Sequence, residues 1–96
     1  MRPIHLSDLH YAACALKNEP EITRPATLQS ALANADTADR YRKRLRRAHP
    51  DYGTGTLTSA LAQHHPIDDT TPHTTAYLQS MLVVITGLLT RAAAKH

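Results

Sequence analysis

A chain of 96 residues has the length of one domain, and its single cysteine, Cys14, excludes an intramolecular disulfide and any multi-cysteine zinc or iron–sulfur site. One cysteine suits a reducing compartment, so the cytoplasm is the expected location. With no Trp, no Phe and four Tyr, the core must come from Leu, Ile, Val and Ala, and the net charge of +3 hides a gradient, because six of the eleven Lys and Arg fall between Arg40 and Arg47.

The opening residues MRPIHLSDLH lack the basic-then-apolar pattern of a signal peptide. Ser7 is placed to cap a first helix over residues 8–18, with Asp8 in its first turn and Leu6 stapling against Tyr11. Leu9, Ala12, Ala13 and Leu16 give that helix an i, i+3, i+4, i+7 face, and Asn18-Glu19-Pro20 closes it. Cys14 reads as a small buried hydrophobe, since no base stands near it in the sequence. After a short polar connection holding Ile22, Thr23 and Pro25 form the cap-and-early-proline signature of a second helix, residues 24–48.

Leu28, Ala31, Leu32, Ala35, Ala38, Tyr41, Leu45 and Ala48 step by three and four along that helix and predict one continuous core stripe. Asp36 with Arg40 and Asp39 with Lys43 are acid-then-base pairs at the favourable i,i+4 spacing. Pro50 holds His49 away from the α region, so the helix should stop near Ala48. Gly53 and Gly55 then offer positive φ in a loop. That loop lacks the strand before it and the Lys-Ser/Thr after it that a phosphate loop needs.

A short helix follows at residues 56–63 and ends at His64-His65-Pro66. The segment from Ile67 to Thr75 is turn chemistry. The last helix, residues 74–93, carries Tyr77, Leu78, Met81, Leu82, Ile85, Leu88 and Leu89 on one broad apolar face. Gly87 on it marks a close helix contact. From Tyr77 to Leu89 the apolar run falls short of the ~20 residues that cross a bilayer, so a buried helix and no membrane are expected. Val83 and Val84 add more apolar surface than two or three small neighbours need, which points to a homodimer through this helix.

These elements predict an all-α, single-domain bundle of three principal helices and one short helix. Its expected core is Leu9, Ala13, Leu16, Leu28, Leu32, Ala35, Leu45, Leu57, Leu61, Leu78, Met81, Leu82, Ile85 and Leu88. His64, His65, Asp68, Asp69 and His73 are the densest group of possible metal ligands, but no His pair has one-turn helical spacing, and no metal or cofactor is expected. The serines stand in helical or capping contexts with no catalytic constellation, so the reading is of a binding module and not an enzyme. Its candidate partner-binding residues are Arg40, Lys43, Arg44 and Arg47, read along one helix face, with His49 beside them. An acidic protein surface or nucleic acid would fit that face.

RKRLRRAHPD, ending in His49-Pro50-Asp51, resembles the second helix and HPD loop of J-domain co-chaperones. That resemblance implies stimulation of an Hsp70 ATPase through His49, Pro50 and Asp51, and a long third helix after the loop. A second resemblance covers most of the chain. Arg2-Pro3, Ala38-Asp39-Arg40-Tyr41-Arg42 with Arg44-Leu45, His49-Pro50, the Gly53/Gly55 turn before Leu57, and Asp68-Asp69 ahead of Tyr77-Leu78 resemble a family of short alphaproteobacterial helical proteins. No activity is attached to that family.

Overall fold

The computed structural model describes residues 1–62 and 74–94. Its helices are α1 (Leu6–Lys17), α2 (Arg24–Leu45), α3 (Leu57–Ala60) and α4 (Thr75–Ala94), with a 3-10 turn at Glu21–Thr23 ahead of α2. The fold is all-α, as the periodicity predicts, and no strand occurs among the described residues. The core lies where α1, α2, α3 and α4 meet, and is built from Ala12, Ala15, Leu16, Leu28, Ala31, Leu32, Ala35, Leu57, Ala60, Leu61 and Val84. The alanines among them let the helix axes come close. Gly87 shows how close, because a Cβ there would stand 2.5 Å from Leu28 Cδ2.

Polar side chains fasten the helix ends. α1 starts two residues before the sequence places it, with His5 and not Ser7 at the cap, because the His5 amide donates to Asp8 Oδ2 (2.9 Å). Leu6 is 83% exposed, so the expected staple against Tyr11 does not form. The other Asp8 oxygen accepts from the Thr58 hydroxyl and amide, tying α1 to α3. Burial acts to raise the Asp8 carboxyl, but the bonds from Thr58 and His5 outweigh it and hold it below the usual range. Arg24 closes the other end of α1. Its buried guanidinium donates to the carbonyls of Leu16 (3.0 Å), Glu19 (3.1 Å) and Lys17 (3.2 Å), at a helix end whose carbonyls have no next turn to bond. Ile22, beside it, is 89% exposed and anchors nothing.

α3 is shorter than the predicted residues 56–63, with Thr56 Oγ1 accepting from the Ser59 amide at its start. α4 departs most from the expectation. The face that packs on α1 and α2 carries Tyr77, Ser80, Val84 and Gly87, while Leu78, Leu82, Ile85 and Leu89 face outward. The inward set wins because the alanine-rich surface of α1 and Leu28 of α2 leave room only for a close approach. The predicted core positions Leu78, Leu82 and Ile85 are therefore surface, and Leu82 is 64% exposed. Over its most apolar stretch α4 has a mean hydropathy of 1.3 with 17% of the stretch buried. The helix is thus long and apolar enough to cross a membrane, although the apolar run read from the sequence falls short of that.

Candidate functional site

α2 carries its charges in two regimes. In its first two thirds every charged group is engaged by a neighbouring element. Asp36 Oδ1 lies 2.7 Å from the Met1 ammonium and also accepts from Arg91 of α4. Burial acts to raise Asp36, and those two cations overcome it and hold the carboxyl down at about 2. The predicted Asp36–Arg40 pair is absent because these two partners outcompete Arg40, which turns toward Thr37 (3.4 Å). The predicted Asp39–Lys43 pair does form, at 3.2 Å, and Asp39 also binds Arg42 at 3.0 Å. Asp39 is buried, which alone would raise its carboxyl, and Arg42, Lys43 and the Met1 ammonium pull it below the usual range.

Past Asp39 the helix leaves the core. It ends at Leu45 and not at the predicted Ala48, because Arg46 takes the left-handed conformation (φ 57°, ψ 35°) while its amide still donates to Arg42 O (2.7 Å). Pro50 is not what stops it. The chain has to turn three residues sooner so that His49 and Gly53 can exchange amide-to-carbonyl bonds of 2.8 and 3.1 Å around Pro50-Asp51-Tyr52. Gly53 (φ 82°) and Gly55 (φ 96°) both take the positive φ that the sequence suggests. At Gly55 a Cβ would come within 2.9 Å of Asp39 Cα, so the loop returns tightly against α2. Leu45 and Ala48, expected on the core stripe, are exposed beyond the last neighbour of α2, Leu45 at 48%.

His49 is built into this turn. Its Nδ1 accepts from the amides of Asp51 (3.0 Å) and Tyr52 (3.2 Å), which places the ring proton on Nε2. The ring stacks on Tyr52 (centroids 4.7 Å apart, planes at 12°) and meets the Tyr41 ring in a T-shaped contact (4.8 Å, 65°). Tyr41, His49 and Tyr52 thus form one half-exposed aromatic array at the end of α2.

Arg40, Lys43 and Arg44 keep the i, i+3, i+4 spacing of one face of α2, while Arg47 lies past the end of the helix. Arg40 and Arg44, with Thr37, Tyr41, Leu45 and His49, line an open cleft of about 530 Å³. Lys43 and Arg47, with Arg42, Arg46 and Ala48, line a second and more polar depression of about 570 Å³. Arg40, Arg44, Arg46 and Arg47 are all exposed, and none makes an ion pair among the described residues. The His-Pro-Asp tripeptide behind the J-domain resemblance is the turn just described. The four-residue α3 follows it where that family's long third helix would stand.

A second polar cluster is one the sequence reading missed. His10 Nδ1 lies 2.8 Å from the Tyr77 hydroxyl and His10 Nε2 lies 3.6 Å from Cys14 Sγ, so a base does stand beside the buried cysteine. Burial pushes the Tyr77 phenol up, and Cys14 adds to it. The i,i+4 spacing of His10 and Cys14 on α1 is visible in the sequence; the approach of Tyr77 from α4 is not. The metal-ligand group from His64 to His73 lies outside the described residues. Among the described residues no three His, Cys, Asp or Glu gather closely enough to hold a metal ion.

A family model described as a domain of unknown function, DUF7742, matches residues 2–88. No curated protein and no solved structure matches the chain.

Proposed function

The chain belongs to the DUF7742 family, and we propose that it is a non-enzymatic cytoplasmic binding module that docks an anionic macromolecule on the basic end of α2. The observation that carries this reading is the contrast along that helix. The acids and Arg24 are engaged by neighbouring elements, whereas Arg40, Arg44, Arg46 and Arg47 stand exposed and without an acidic partner among the described residues. A positive field concentrated there speeds encounter with acidic surfaces or phosphates and weakens steeply with salt. The test is fluorescence anisotropy with two labelled polyanions, a polyaspartate peptide and an oligonucleotide, over a salt series. Replacing Arg44 and Arg47 by Glu should abolish the binding and flatten its salt slope while leaving the helical circular dichroism unchanged. Retention of binding by that variant would overturn the reading.

A second reading has its own observation. Leu78, Leu82, Ile85 and Leu89 step four, three and four along the exposed side of α4, the spacing of a helix-pairing seam, and no charged residue interrupts α4 before Arg91. This favours a second copy of the chain on that face. Sedimentation equilibrium should show a dimer that Leu82→Glu converts to monomer, and a wild-type monomer at high micromolar concentration would refute it. Partition of the wild type into lipid vesicles would assign the face to a membrane instead.

A further inference from the structure

We propose that the cleft between Arg40, Tyr41, Arg44, Leu45 and His49 binds single-stranded nucleic acid, seating an unstacked base on the aromatic array with the flanking phosphates on Arg40 and Arg44. This rests on the reading that the basic end of α2 is the working surface, and it names which anion that surface takes.

Charge alone does not choose between a carboxylate-rich protein and a phosphate backbone, but the floor of the cleft does. Tyr41, Leu45 and His49 give the cleft apolar and aromatic surface beside Arg40 and Arg44, two residues one helical turn apart on α2. A carboxylate would satisfy the arginines and leave that floor in water. A planar base covers it, and its own phosphates reach the rim in the same pose. The volume of about 530 Å³ admits a base with its sugar, and the cleft is open enough for a strand to enter and leave.

The array is also prepared for stacking. His49 is held by two amide hydrogens on Nδ1 and by ring contacts with Tyr52 and Tyr41, so little side-chain freedom remains to be lost on binding. The bases of a duplex already stack on one another and expose only their edges. Unpaired bases alone offer a π-face to such a platform, and because every base has one, the recognition should be tolerant of sequence.

The test uses the whole chain and fluorescence anisotropy with four probes: a labelled single-stranded oligonucleotide, the same sequence as duplex, a labelled polyaspartate peptide, and AMP as an unlabelled competitor. Single strand should bind at least about tenfold more tightly than duplex or polyaspartate, because base–aromatic stacking adds to phosphate contact. Tyr41→Leu, which keeps bulk and removes the ring, should lower single-strand affinity about tenfold, leave duplex binding and the salt slope unchanged, and be rescued by Tyr41→Phe. Replacing Arg40 and Arg44 by Gln should weaken every polyanion and make the salt slope shallower by about one per lost phosphate contact.

With no Trp in the chain, quenching of tyrosine emission by the bound strand reports stacking in the wild type, so the result does not depend on a variant folding. AMP competing as well as the strand, per nucleotide, would make the ligand a free nucleotide and overturn the proposal. Equal affinity for single strand and duplex, or unchanged affinity in Tyr41→Leu with no quenching, would overturn it while leaving the binding-module reading standing. Tighter binding of polyaspartate would assign the site to an acidic protein, and no anion bound at all would remove both readings.

Discussion

The two parts of α2 share one helix and both carry charge, yet from Arg24 to Asp39 it is an internal strut and from Arg40 onward it is surface. In the first part Leu28, Leu32, Ala35 and Ala38 are buried, and each ionised group closes a contact with another group: Arg24 with the end of α1, Asp36 with Met1 and Arg91, Asp39 with Met1 and the residues after it. In the second part the same periodicity continues through Tyr41 and Leu45, but the chain around it supplies only a turn, and the arginines beyond Arg42 face water. A charged residue becomes structural when a second element reaches it. The ones that none reaches face water.

The largest effect that could break this comparison is a pair of leucine truncations. Leu32→Ala should cost about 2–5 kcal/mol in urea unfolding, since it empties a fully buried site between packed helices. Leu45→Ala on the same stripe should change stability by no more than about 0.5 kcal/mol. Equal losses would mean that the end of α2 is packed after all.

Removing an engaged acid should cost less than a core leucine. Asp36→Asn is expected to destabilise the fold by about 1.5–3 kcal/mol, because it weakens charge-assisted bonds to two cations, of which Met1 alone keeps a second acid, Asp39, among the described residues. The same residue sets an acid limit. Its folded pKa of about 2 lies below the ordinary ~3.9, so its stabilisation is present above about pH 4 and is lost as the pH falls toward 2. Asp8 and Asp39, also held low, act in the same direction. Thermal melts across that range should decline toward acid in the wild type and decline less in the Asp36→Asn variant.

Gly55→Ala should cost about 1–3 kcal/mol. It demands a left-handed alanine with its Cβ driven against the backbone of Asp39, which has nowhere to go. If the melting temperature were unchanged, the loop would not be clamped to α2. The smallest effect has the opposite sign. Arg46 holds a left-handed conformation that glycine adopts freely, so Arg46→Gly should raise stability by up to about 1 kcal/mol and also weaken binding of polyanions. That trade would mark Arg46 as the residue whose strained backbone ends α2.

The element order and helical class are legible in the sequence because apolar spacing of three and four survives in any environment. His49-Pro50 and the paired glycines mark a turn for local steric reasons that hold without the rest of the chain. The basic run is legible too, as is the part of α2 from Leu28 to Ala38 that belongs to the core. The same periodicity misleads for α4. Its large residues form a convincing face, but the neighbours it meets are alanines and Leu28, and against those Tyr77, Ser80, Val84 and Gly87 are buried, with Met81, Val83 and Leu88 partly buried beside them.

The sequence by itself therefore determined which segments are helical, where they turn and where positive charge accumulates, since these follow from backbone sterics, side-chain spacing and composition within a few residues. Tertiary structure alone decided which face of α4 is inside and that Asp36 belongs to Met1 and Arg91 and not to Arg40. Each of those outcomes depends on which distant group arrives first or fits closest. Local pattern carries no information about that competition, because it is settled by the volumes and charges of residues tens of positions away.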